Sequence, residues 1–407
     1  MKLLITGIFL LVIWIGVFIV YSKPVSINSN FESSKEVISN EIIEKQSPSS
    51  IVANYNNIIF NKEQVIHAAG GTKSVVFNGA GTMLYAMNLE GLSVYEFNQS
   101  TKTLNRSFQF KPTKGKGWDY QTKTSTISWQ EKPVEACFSN HDSILWVSLH
   151  NANGIVPIKV FEETHAPLGI DSSSFKVIKQ INSNKSLTKI EVPLIQTGST
   201  PKVVEVANQG KNLLVSNWHS KTVSVLDINT AQFPYANLLK NVSVSSIPRG
   251  IVVDEDVQKS YIAIMGSNTI AVMNNNNWEI EKYLPVLSNP RHIVQGSNNS
   301  LLVSFNSLNK VAIINKNTGE IIDSISTKAQ PRSMTLSNNK QFLFVTCYNG
   351  NAIDVFKIAN NNFVPLYSLP CKGKPVGIDL YEDDKIIEAW VCNYVAGNIK
   401  VFSFTKN

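Results

Sequence analysis

Hydrophobic and polar residues alternate in short bursts along most of this chain, and the bursts repeat. Thr222–Asp227, Thr269–Asn274, Lys310–Asn315 and Ala352–Lys357 share one pattern: alternating apolar residues that end in a polar turn. That two-residue period predicts half-buried strands. A second apolar burst precedes each, as at Leu213–Asn217, Leu301–Phe305 and Phe342–Thr346. Upstream again a short strand opens on Pro-Lys or Pro-Arg, at Pro201-Lys202, Pro248-Arg249, Pro290-Arg291 and Pro331-Arg332.

Aligned on that mark, the unit opens at Thr72, Pro133, Pro201, Pro248, Pro290, Pro331 and Pro375, with the last four openings 42, 41 and 44 residues apart. A period of about 40–50 residues with four strands per unit predicts propeller blades. The expected fold is all-β, a seven-bladed propeller over residues 56–407. The last unit contains three strands, near Val376–Tyr381, Ile386–Cys392 and Asn398–Phe404, while a spare strand at Asn57–Ala68 precedes the first. An N-terminal strand that completes the last blade would close the ring and remove its exposed edge.

The N-terminus has a different pattern. Leu3 to Tyr21 is apolar apart from Thr6, Gly7 and Gly16. This is close to the roughly 20 residues that a helix needs to cross a bilayer. Residues 1–22 are expected to be a membrane anchor or a signal peptide, with Val20-Tyr21-Ser22 as a cleavage site in the second case. Residues 23–55, rich in Ser, Asn, Glu and Lys, read as a flexible stalk. Either reading of the anchor places the propeller in the cell envelope, periplasmic or at the cell surface.

Composition narrows the functional classes. Charged residues make up only 16% of the chain and the net charge is +7. Residues 1–55 hold equal numbers of Lys and Glu, so the excess lies on the propeller. Such a balance suits an anionic partner. No Lys/Arg-rich run or nucleic-acid motif accompanies it, so no nucleic acid is expected. Cys137, Cys347, Cys371 and Cys392 form no CxxC and do not stand at metal-finger spacing from a His.

The repeats resemble the YVTN-type β-propeller family. Pro-Arg-Gly-Ile-Val-Val253, Leu-Leu-Val-Ser-Asn-Trp-His-Ser-Lys-Thr-Val-Ser-Val-Leu-Asp227 and Asn-Lys-Asn-Thr-Gly-Glu-Ile-Ile322 carry the resemblance. It spans about residues 56–404 and implies the fold. On the functional side it implies surface-layer or periplasmic proteins, lactonases, or subunits of quinone-linked dehydrogenases. No catalytic motif of those enzymes maps onto this chain, and there is no CxxCH for covalent haem.

Candidate chemistry gathers on one face. Strands alternate in direction, so the links between blades share a face with the links between second and third strands. Each opening has a basic residue beside it: Lys73, Lys132, Lys202, Arg249, Arg291, Arg332 and Lys374. The innermost strands line the channel, so these charges are expected to ring its mouth and hold an anion. Second-strand exits add His150, Trp218, His219, Asn306, Tyr348 and Tyr394. An insertion at Lys111–Glu131 adds Lys114, Lys116, Trp118, Asp119, Tyr120 and Trp129, and its Gly115 and Gly117 suggest mobility. A second insertion, Glu162–Ser186, is expected on the opposite face as a solvated loop. There is no GxSxG, HExxH or Walker loop. His150, His219 and His292 are placed so that they could approach one another, but neither a metal nor a cofactor is expected. The expected ligand-binding residues are therefore Arg249, Arg291, Arg332, Lys202, Lys73, Trp218, His219, Tyr348, Tyr394, Trp118 and His150. The expected function is a membrane-anchored binding or scaffolding module for a small anion or a protein. The alternative is a lactonase-like hydrolase or a dehydrogenase propeller.

Overall fold

A computed structural model describes residues 55–119, 122–297 and 299–407 of the chain. The expected anchor and most of the stalk lie outside these residues. Among the described residues no helix is long and apolar enough to cross a membrane.

Seven sheets form seven blades. Their innermost strands are Thr72–Phe77, Pro133–Ser139, Pro201–Ala207, Ile247–Asp254, Pro290–Gln295, Pro331–Leu336 and Pro375–Glu382. Each packs on the next, and the last packs on the first, so the blades make a closed ring. The seventh blade is completed from the N-terminal side. Ile58–His67 pairs antiparallel with Asn398–Lys406, which takes the edge that the three C-terminal strands would otherwise expose. Tyr55 reinforces the closure by stacking on Phe342 with ring centroids 5.5 Å apart.

Packing between blades explains the alternation in sequence. Second strands such as Ile144–Leu149 and Phe342–Cys347 are buried along their whole length, because both faces of each blade are covered by neighbours. The apolar clusters bridge adjacent blades. In one of them Met87 and Val94 of the first blade meet Val147 and Ile158 of the second. The tight turns into the third strands require left-handed backbone, supplied by Asn153, Asn309, Asn351 and Gly397. This accounts for part of the Asn content.

The second insertion differs from expectation. Glu162–Ser186 is not only a solvated loop. Phe175–Asn182 pairs with the outer edge of Leu104–Phe110, and Leu187–Pro193 pairs with it in turn, so the first blade has six strands. An outer edge with unpaired N–H and C=O groups is a ready template for such additions. The second blade then closes on a strand of two residues, Ile195–Gln196.

The Lys111–Glu131 insertion is a β-hairpin of Lys114–Asp119 and Thr124–Trp129. Its glycines have a packing role. A Cβ on Gly115 would lie 2.6 Å from Gln130, and one on Gly117 would lie 2.5 Å from Ser128. At the hairpin base the buried Glu131 accepts from Thr113 N at 2.7 Å and from Lys176 Nζ at 2.7 Å, which ties the hairpin to the added strand of the first blade. Tyr120, at its turn, lies outside the described residues.

Candidate functional site

The Pro-Lys/Arg mark has a geometric consequence. In all seven innermost strands the pairing register shifts just after the opening residue, for example between Pro201 and Val204 and between Pro331 and Met334. Such a bulge re-aims the side chain it displaces. Here it turns Lys73, Lys202, Arg249, Arg291 and Arg332 toward one cavity. A hydroxyl on the neighbouring second strand secures most bulges. Ser216 Oγ accepts from Val203 N at 3.1 Å and donates to the carbonyl of Arg249 at 3.0 Å. Ser148 makes the same pair of bonds with Glu135 N and the Lys202 carbonyl, as Ser304 does with His292 N and the Arg332 carbonyl. Three blades thus hold the backbone of the next blade's basic residue, at Lys202, Arg249 and Arg332.

The cavity lies where all seven blades meet and has a volume of about 300 Å³. Its lining includes Lys73, Trp118, Lys132, His150, Lys202, Trp218, Arg249, Arg291, Arg332 and Tyr394. Of the eleven expected binding residues, nine line it. The other two stand beside it. Tyr348 lies beneath Arg332, whose guanidinium is 3.6 Å from the ring centroid. His219 packs on Trp118 at 5.1 Å and faces an adjoining cavity.

The basic ring is incomplete, which corrects the sequence reading. Lys132 and Lys374 precede their strands, and the equivalent inward positions carry Val134 and Val376. Lys132 reaches the cavity edge, where it pairs with Glu90 at 3.0 Å. Lys374 bonds Asn349 at 3.0 Å away from the cavity. Asn306 sits in a short 3-10 turn outside the lining. Trp129 is exposed beneath Lys114 at 5.3 Å. Among the described residues no group of three or more His, Cys, Asp or Glu could hold a metal, so His150, His219 and His292 do not assemble into one. All four cysteines are buried thiols.

Electrostatics distinguish the cavity. Burial, and then the neighbouring guanidinium groups, hold the Lys73 and Lys202 amines well below their ordinary value of 10.5. Arg291 is lowered by the same two effects, and Arg332 is brought down to about 10. Burial drives His292 down to about 4. The carboxylate opposing this crowding at Lys73, Lys202 and Arg291 is Glu135, whose Oε1 lies 3.3 Å from Arg249. Sequence reasoning missed Glu135, which stands one residue beyond the strictly repeated mark. Arg249 Nη1 and Arg332 Nε are buried without a hydrogen-bond partner among the described residues. Aromatic faces partly compensate: Trp218 lies 4.4 Å from Lys202 Nζ and 5.1 Å from the Arg249 guanidinium. Lys202 Nζ and His150 Nδ1 are 2.6 Å apart.

No protein-family model matches the chain, and no curated protein matches it. Among solved structures it is similar to Kuenenia stuttgartiensis hydrazine synthase, with 13% identity, a TM-score of 0.59, and coverage of 83% of this chain and 97% of that one. A streptogramin B lyase aligns at 14% identity with a TM-score of 0.56, over 84% of this chain and 97% of its own. Virginiamycin B lyase from Staphylococcus aureus aligns at 14% identity and a TM-score of 0.56, over 86% and 100%. At these identities the likeness is one of fold. The YVTN-type resemblance likewise has no family-model support.

Proposed function

We propose that this protein is a binding propeller that captures a small polyanion over the mouth of its channel, displayed at the cell envelope by its N-terminal segment. The observation that carries the reading is the crowding of Lys73, Lys202, Arg249, Arg291 and Arg332 around one cavity opposed by Glu135. Cations brought together out of water raise each other's energy, and an anion relieves that cost. Arg and Lys offer donors only, so the matching group is rich in acceptors, such as a phosphate or a carboxylate. The apolar run Leu3–Tyr21 supports the envelope location.

Calorimetric titration of the full-length protein with pyrophosphate and with citrate tests the proposal. Binding that weakens as salt rises is expected. The triple variant R249Q/R291Q/R332Q should lose at least about 100-fold in affinity, since charge-assisted hydrogen bonds contribute about 1.5–3 kcal/mol each. A triple variant that stays folded and binds with unchanged affinity would make the ring purely structural. A catalytic alternative, a lactonase-like hydrolase or a dehydrogenase propeller, draws on the close contact of His150 with Lys202 in the same cavity. Lactone hydrolysis or dye-linked dehydrogenase activity lost on His150→Ala would favour it.

A further inference from the structure

A second cavity, of about 270 Å³, adjoins the basic one, and the two share Trp118 and Asn151. Its chemistry is different. Besides Trp118 it is lined by Lys116, Asn153, Ser199, Thr200 and His219. Amide, hydroxyl and imidazole groups both donate and accept hydrogen bonds, unlike the donor-only cations next door. They are also held in place. Asn153 Oδ1 accepts from Thr200 N at 3.1 Å, and Thr200 Oγ1 lies 2.7 Å from His219 Nδ1. Asn151 Nδ2 donates to the carbonyl of Trp129 at 2.7 Å, which docks the hairpin carrying Trp118 over the boundary between the cavities. Trp118 is partly exposed and leans on His219, presenting an indole at that boundary.

A ligand filling both cavities therefore needs three properties in sequence: an acceptor-rich anionic head, an apolar face for an indole, and a body with many paired donors and acceptors. A sugar ring bearing an acidic group combines them. Its C–H face stacks on an aromatic ring, and its hydroxyls match amide and hydroxyl partners. Together the two cavities fall in the usual size range of small-ligand sites. We propose that the ligand is an acidic sugar, with its phosphate or carboxylate among the arginines and its hydroxylated ring against Trp118 in the second cavity. This rests on the anion-binding reading above and adds the identity of the body.

Calorimetry of the full-length protein in mild detergent tests the inference with four probes: inorganic phosphate, phenyl phosphate, glucose 6-phosphate and glucuronate. The better of the two sugar acids is expected to bind at least about tenfold more tightly than both phosphate and phenyl phosphate, as two net hydrogen bonds would provide. Thr200→Val combined with His219→Phe keeps the shapes and the ring contact while removing polar atoms. It should shrink that advantage about tenfold, with the melting temperature checking the fold. If phosphate binds but neither sugar acid binds more tightly, the inference fails and the anion reading stands. Phenyl phosphate matching the sugar acids would make the second cavity an apolar one and also overturn the inference. If none of the four probes binds while pyrophosphate or citrate does, the inference fails and the anion reading stands; if those two also fail to bind, both fail. A double variant that stays folded and keeps the full sugar advantage would place the body elsewhere.

Discussion

Cations largely withdrawn from solvent occur in two settings in this propeller. In the blades each has its own carboxylate. Arg106 pairs with Glu96 at 2.7 Å, Lys176 with Glu131 at 2.7 Å, Lys316 with Asp254 at 2.5 Å and Lys406 with Glu382 at 2.9 Å. At the channel mouth Arg249, Arg291, Arg332 and Lys73 are crowded together, and Glu135 is the carboxylate that faces them. One fold thus solves the same physical problem in two ways. In the blades the cost of withdrawing a cation from water is offset within the chain. At the mouth much of it is left standing. The half-buried cations of the blades are paired, and this imbalance at the mouth is what the proposed anion site rests on.

Breaking a blade pair gives the largest expected effect. Glu96→Gln removes the buried countercharge of Arg106, which stays half-buried beside the Val160 carbonyl. It should cost about 3–5 kcal/mol, read from the midpoint of urea unfolding. Arg291→Met at the mouth should behave in the opposite way. Its terminal Nη1 contacts the sulfur of Met265, and its neighbours repel it. Without added anion its loss should change stability by less than about 1 kcal/mol, or increase it. A loss as large as that of Glu96→Gln would erase the distinction between the two regions.

The sharpest test is the pH dependence. Lys73 and Lys202 hold protons more weakly when folded than in the unfolded chain, where their ordinary value is 10.5. Below 10.5, down to those depressed values, the unfolded chain binds more protons, so the stability of the free protein should rise with pH. This contribution is fully present above 10.5 and is lost as pH falls through the depressed values. A bound anion restores the protons, so its affinity should fall with rising pH over the same range. Unfolding midpoints and titrations in buffers of different ionisation heat check the two opposite slopes. Parallel slopes would show that the amines do not face the anion.

Much of this was legible along the chain, because propeller blades are local. A strand, its turn and its partner lie within about fifty residues of one another, so the pattern repeats visibly in sequence. Seven openings marked seven blades, and a spare strand at one end with a missing one at the other marked the closure. The basic residues were visible for the same reason, since they occupy one position of the repeat.

What the repeat did not contain, only the tertiary structure could decide. Beside Pro133 and Pro375 a lysine stands where the pattern suggests a ring member, yet Val134 and Val376 take the inward positions, because the bulge and not the nearest charge selects the side chain. The strands after Glu162 found the outer edge of the first blade across more than sixty residues of chain, a choice made by an open row of backbone groups. Glu135, the second cavity and the hairpin that seats Trp118 between the cavities also depend on contacts between distant segments. Local alternation determines the blades. Where seven of them converge, the charges and surfaces that meet are set by closure of the ring, which no single repeat encodes.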